Sequence, residues 1–177
     1  MKAQPEKRAA RLLNTASAIL AAGVATDSTA EHYRAGFHNP AMFVAPVVSS
    51  IALTTSLRAA ANPDTQTFAP RTIFTIAVMT GLAGLFFHTR NISKRPGGLN
   101  STSVFYGAPM AAPLGVTMAG VLGLAASRVA AASAHAEPRT IAGLSAIGLL
   151  GTSAEAAALH FRGAFQNPFM YAAVVVR

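Results

Sequence analysis

Residues 31–48 read EHYRAGFHNPAMFVAPVV, and residues 159–176 read LHFRGAFQNPFMYAAVVV. At this offset of 128, nine of eighteen positions are identical: His32/His160, Arg34/Arg162, Phe37/Phe165, Asn39/Asn167, Pro40/Pro168, Met42/Met170, Ala45/Ala173, Val47/Val175 and Val48/Val176. The offset also aligns Ser17-Ala18-Ile19 with Ser145-Ala146-Ile147 and sets Asp27 opposite Glu155. The shared pattern is an acid, then His-x-Arg, then Phe-x-Asn-Pro-x-Met, between two apolar stretches. A repeat centred on a polar turn is one supersecondary unit used more than once.

The flanking stretches decide what kind of unit it is. Only 11% of the 177 residues are charged and 52% are hydrophobic, against about 25% charge in an ordinary soluble domain. Mean hydropathy is +0.41. Uncharged runs cover 12–26, 35–57, 72–89, 96–127, 140–154 and 163–176. A membrane helix needs roughly 17–25 mostly apolar residues. The two runs that stop at Asp27 and Glu155 reach that length when each helix continues to its His-x-Arg, which would bury both acids inside a span. The alternative, a soluble Ala-rich bundle, lacks the charge to coat its surface.

These runs predict an all-α integral membrane bundle of five to six segments, built from repeated hairpins in parallel orientation. The segments are expected at Arg11–Tyr33, Pro40–Ala60, Arg71–His88, Pro109–Ala132, Pro138–Phe161 and Pro168–Arg177. They group as a basic N-terminal segment (1–10), hairpin repeat 1 (11–61), a degenerate repeat 2 (71–132) and repeat 3 (138–177). The middle copy keeps His88-Thr89-Arg90 and Pro109-x of the turn, has Ala83 in place of the acid, and carries a longer loop through Lys94, Arg95 and Pro96. Units of two spans each share one orientation, related by an axis along the membrane normal. The last segment has only nine residues after Pro168, about 14 Å of helix against a hydrocarbon core near 30 Å. The expectation is a natural chain that runs on by roughly ten to twenty residues, or a stub covered by a partner or neighbouring protomer.

The net charge of +8 reads as loop charge, because no basic stripe interleaved with aromatics is present to meet nucleic acid. Eight Lys and Arg flank the N-terminal side of the spans and five the motif side. That bias puts the N-terminus in the cytoplasm of a bacterial inner membrane. The chain has no Cys, which removes disulfides, iron–sulfur clusters and thiolate metal sites.

The candidate site residues lie on the motif side, with eleven of the thirteen aromatics; Phe68 and Phe74 are the two elsewhere. His32, Arg34, His88, Arg90, His160 and Arg162 are candidates for a quinone or haem b site, with histidines from different helices as axial ligands. A histidine beside a turn also serves as a plain hydrogen-bonded structural residue. Asp27 and Glu155 are the ionisable groups expected inside spans, where they need partners. Cross-repeat pairs with Arg162 and Arg34 would supply them, while arginines snorkelling to the interface are the plainer reading. The Glu-x-x-His spacing of di-iron bundles is absent, as are the P-loop and HExxH motifs.

These residues lead to a non-catalytic membrane subunit or anchor of a larger, electron-transfer assembly, docked through its His/aromatic face. The bilayer and other membrane subunits, or further copies, would be its partners. The rival readings are a small transporter using Asp27 and Glu155, and a b-type haem protein.

Asn39-Pro40 and Asn167-Pro168 read as N-caps followed by Pro at a position whose missing N–H costs nothing. Asn39→Ala is expected to destabilise the first hairpin by about 1 kcal/mol; unchanged thermal unfolding in detergent would contradict it.

Overall fold

The computed structural model describes residues 4–65, 68–107, 109–110 and 112–131, with scattered positions between 143 and 164. Four long helices dominate: α1 (Gln4–Arg34), α2 (Val44–Ala61), α3 (Phe68–Ser93) and α5 (Ala112–Ala130), with the short α4 (Ser101–Phe105) before the last of them. All four are long and apolar enough to cross a membrane; with the 3-10 turn ahead of α2 included, they run to 30, 22, 26 and 19 residues. At 1.5 Å per residue even the shortest covers about 28 Å. The described positions between 143 and 162 are helical. Glu155, Asn167, Pro168 and the final segment lie outside the described residues.

Several boundaries differ from the sequence expectation. Helix α1 begins at Gln4, so Lys7, Arg8 and the described part of the expected basic leader, 4–10, are helical. Pro5 and the first-turn Glu6 suit a helix start. Helix α3 continues five residues beyond His88 to Ser93, which moves Arg90 from the expected loop into the helix. Buried Ile92 explains the extra turn, since its side chain packs beneath Gly107. After Pro40 the chain makes a 3-10 turn, Pro40–Phe43, before α2 begins.

The helices meet in antiparallel register. Along α1 and α2, Lys7 meets Asp64, Arg11 meets Ala60, Ser17 meets Ser56 and His32 meets Met42. Along α1 and α5, Ser17 meets Ala119 and Val24 meets Gly115. Along α3 and α5, Phe74 and Val78 meet Gly120, while Gly84 meets Pro113. Helices α1 and α3 therefore run the same way. Helix α5 lies at the centre: 44% of its apolar window is buried, against 17–28% in the other three.

The interior is made of small and polar residues. Ala10, Ala21, Ala52, Ala77 and Ala119 are fully buried, with Ser17, Ser49 and Ser56 beside them; Phe74 is the largest side chain enclosed. Leu57, Met79, Phe86 and Ile19 are more than half exposed. A soluble domain does the reverse. Small residues inside and large apolar ones outside is how helices associate in lipid, where backbones must come close because water supplies no drive.

A Cβ on Gly120 would lie 2.6 Å from the Phe74 carbonyl and 2.9 Å from the Val78 nitrogen, both rigid backbone, whereas one on Gly23 would meet nothing within 4 Å. Gly120→Ala is expected to cost about 1–3 kcal/mol by overpacking. Gly23→Ala should instead stabilise α1 by about 0.5–1 kcal/mol. Thermal unfolding of both variants in detergent checks the opposite signs.

Candidate functional site at the motif end

Helix α1 ends in a Schellman turn. Gly36 N–H donates to Tyr33 O (2.8 Å) and Phe37 N–H to His32 O (3.0 Å), which closes orphan carbonyls at the helix end. Gly36 is left-handed at φ 74°, and Phe37 follows at φ 43°. For Phe this conformation is strained. Stacking on Phe43 at 4.3 Å and an edge contact with His32 at 6.1 Å hold it there. Asn39 then sits extended, and its side chain accepts the Ala41 N–H at 2.9 Å.

One positive φ and one hydrogen bond of this turn recur at the offset of 128. Ala164, 128 positions after Gly36, has φ 54° and donates its N–H to Phe161 O at 2.9 Å. Left-handed backbone costs a Cβ-bearing residue roughly 1–2 kcal/mol. A position that tolerates this cost for Ala is set by the turn around it.

The histidines clasp their turns. His32 Nδ1 bonds to the Met42 carbonyl, reaching from the end of α1 to the start of the next helix. His88 Nδ1 does the same from α3, at 2.6 Å from the Pro109 carbonyl. A carbonyl can only accept, so in each ring Nδ1 carries the proton and Nε2 keeps its lone pair in the neutral form.

The arginines divide among three roles. Arg34 pairs with Glu31 one turn back at 2.5 Å, an exposed contact of the kind that adds little stability. Arg162 reaches across hairpins: Nη1 lies 3.4 Å from the Gly107 carbonyl, and the guanidinium stands 5.6 Å from the Tyr106 ring centre. Phe161 meets Phe105 edge-on at 6.4 Å. Arg90 is exposed on the last turns of α3; the polar contact to the following turn comes instead from Arg95, which donates to Tyr106 O at 3.0 Å.

His32, His88 and Arg162 thus join the motif ends of the hairpins, while Arg34 and Arg90 point outward. His160 is helical and half-buried. Asp27 corrects the expectation of a buried acid: it is exposed, because the buried face of α1 is the stripe of Ser17, Ala21 and Val24, roughly a quarter turn away. Glu31 takes Arg34; Glu155, the partner expected for that arginine across the repeats, lies outside the described residues. Among the described residues no group of three or more His, Cys, Asp or Glu side chains converges as a metal site. Comparison of the chain with known protein families, curated proteins and solved structures finds no match.

Removing one clasp tests its role. His32→Ala is expected to lower the stability of the first hairpin by about 1 kcal/mol, the usual net value of one hydrogen bond. Amide exchange around residues 37–44 should accelerate. Exchange equal to the wild type would mean that the bond holds nothing.

Proposed function

We propose that the chain is a non-catalytic subunit of a bacterial inner-membrane assembly, an anchor built from parallel hairpin repeats whose motif end is the docking face. One observation carries the reading. His32, His88 and Arg162 are engaged in closing and joining turns, while Tyr33, Phe86, Phe87, Tyr106 and Phe161 at the same end are each more than half exposed. Aromatic rings grouped in this way suit a partner surface, where Tyr and Phe are enriched. The repeat reading is supported by the common direction of α1 and α3, by the twin clasps of His32 and His88, and by the left-handed residues 36 and 164. The N-terminal ends of the hairpins are assigned to the cytoplasm by the Lys/Arg bias. The transporter reading loses support, since exposed Asp27 does not face an interior path.

A second reading, a haem b or quinone site, is favoured by the clasps themselves. A ligating histidine is typically held through its other ring N–H on a carbonyl or carboxylate, and His32 and His88 each have Nδ1 on a carbonyl. The absorption spectrum of protein purified from native membranes decides it, a missing Soret band ruling out haem.

For the anchor, tagged full-length chain is purified from native membranes beside a Phe86→Ser/Tyr106→Ser variant. The wild type should retain a membrane protein in fixed stoichiometry, and the variant should lose it while staying in the membrane. Wild-type chain that brings down no partner overturns the anchor.

A further inference from the structure

The end opposite the motif has its own chemistry. There the start of α1, the end of α2, the start of α3 and the end of α5 come together. Arg11 Nε donates to Ala60 O at 3.1 Å, and Arg71 Nη2 lies 3.4 Å from Ser127 O. Each arginine supports the C-terminal carbonyls of its hairpin's second helix. Among the described residues Lys7, Arg8, Arg11, Arg58, Arg71 and Arg128 collect at this end, against the carboxylates of Glu6 and Asp64. Lys7 takes Asp64 at 2.8 Å.

Beside the first turns of α1 lies a shallow, open groove of about 790 Å³, lined among the described residues by Pro5, Lys7, Arg8, Ala9, Arg11 and Leu12. A stripe leaves it along the helix. Arg8, Leu12, Thr15 and Ile19 recur at intervals of four, three and four, so they share one face, and all four are exposed. Thr15 bonds its hydroxyl back to Arg11 O at 3.0 Å, so its polar group is satisfied within the helix. Leu12 and Ile19 are 62% and 68% exposed. Below the cations the stripe is therefore apolar. From Arg8 to Ile19 it runs about 16 Å, half of a hydrocarbon core near 30 Å.

We propose that this groove binds the headgroup phosphate of an anionic glycerophospholipid, with its acyl chains along the Leu12–Ile19 stripe. The inference rests on the membrane reading of the helices. Guanidinium forks match phosphate oxygens, and basic pockets at the ends of membrane helices favour anionic headgroups. The carboxylates here are too few to draw a choline or ethanolamine group. The stripe distinguishes a lipid from a free phosphate, which would have no use for one leaflet's depth of apolar surface.

The test uses full-length chain in detergent. Retained lipid is counted by native mass spectrometry after exposure to phosphatidylglycerol or to phosphatidylcholine of the same acyl chains. The wild type should retain phosphatidylglycerol by about tenfold or more over phosphatidylcholine, and lose the preference in high salt. Lys7→Gln/Arg8→Gln should abolish it, Arg11 being left intact because it supports α2. Leu12→Ser/Ile19→Ser should weaken phosphatidylglycerol retention severalfold, and Arg90→Gln/Lys94→Gln at the other end should change nothing. Equal retention of the two lipids, or preference undiminished in Lys7→Gln/Arg8→Gln, overturns the proposal. So does displacement by inorganic phosphate with no effect of Leu12→Ser/Ile19→Ser, which marks a free-phosphate site. Should a variant not fold, the wild-type ratio and its salt dependence decide alone. Carbonate extraction separates the two levels: chain released from membranes sinks the membrane reading, whereas retained chain without lipid preference sinks only this site.

Discussion

The close approach of helix backbones is the constraint on which this molecule depends. At the centre, Ser17 donates to the Ala119 carbonyl at 2.7 Å and lies 2.8 Å from the Ser56 hydroxyl. One side chain of α1 thereby ties α2 and α5 together. A serine can reach a neighbouring helix's carbonyl only where both surfaces are thin, and Ala21, Ala52, Ala119 and Gly120 make them so. In lipid such contacts, with dispersion between well-fitted surfaces, replace the hydrophobic drive that builds soluble cores. Every large apolar side chain displaced from the crossings then turns outward, which yields the surface that the bilayer accepts.

The ends of the hairpins follow from the same economy of backbone groups. Orphan carbonyls and N–H groups at helix termini must find partners, and water is scarce near an apolar medium. Arg11 and Arg71 serve the C-termini of α2 and α5 at one end. His32 and His88 reach the turns that lead into α2 and α5 at the other. Each of the two fully described hairpins, α1/α2 and α3/α5, is thus closed at base and tip by a cation or imidazole on its first helix. The sequence places Arg139 at the repeat offset from Arg11. The two ends differ in what is left over: cations beside an apolar stripe at the base, uncovered aromatic rings at the tip.

Much of this was legible in residue patterns, for physical reasons that act locally. Low charge and long neutral runs require a membrane or a partner, because a bare surface of that kind cannot stay in water. Asn39-Pro40 announces a helix start, because cap chemistry involves only the next few residues. The boundaries were harder. The polar residues Lys94, Arg95 and Pro96 point to a loop after His88, yet buried Ile92 draws another turn of helix with it and takes Arg90 into α3. Gly36 takes the left-handed position that ends α1, which glycine adopts at no steric cost, whereas the position 128 residues on holds Ala164 in the same region.

By itself, then, the sequence determined the class of the protein, the pairing of spans through short polar turns, and the cluster of histidine and aromatic residues at one end. These depend on composition and on neighbours within a helical turn or two. Only the tertiary structure decided that Asp27 stands outside, that Arg34 stays with Glu31 while Arg162 crosses to Gly107, and that α5 is the central helix. Those outcomes turn on which face of each helix is thin enough for another backbone to approach, and that choice involves all the helices at once.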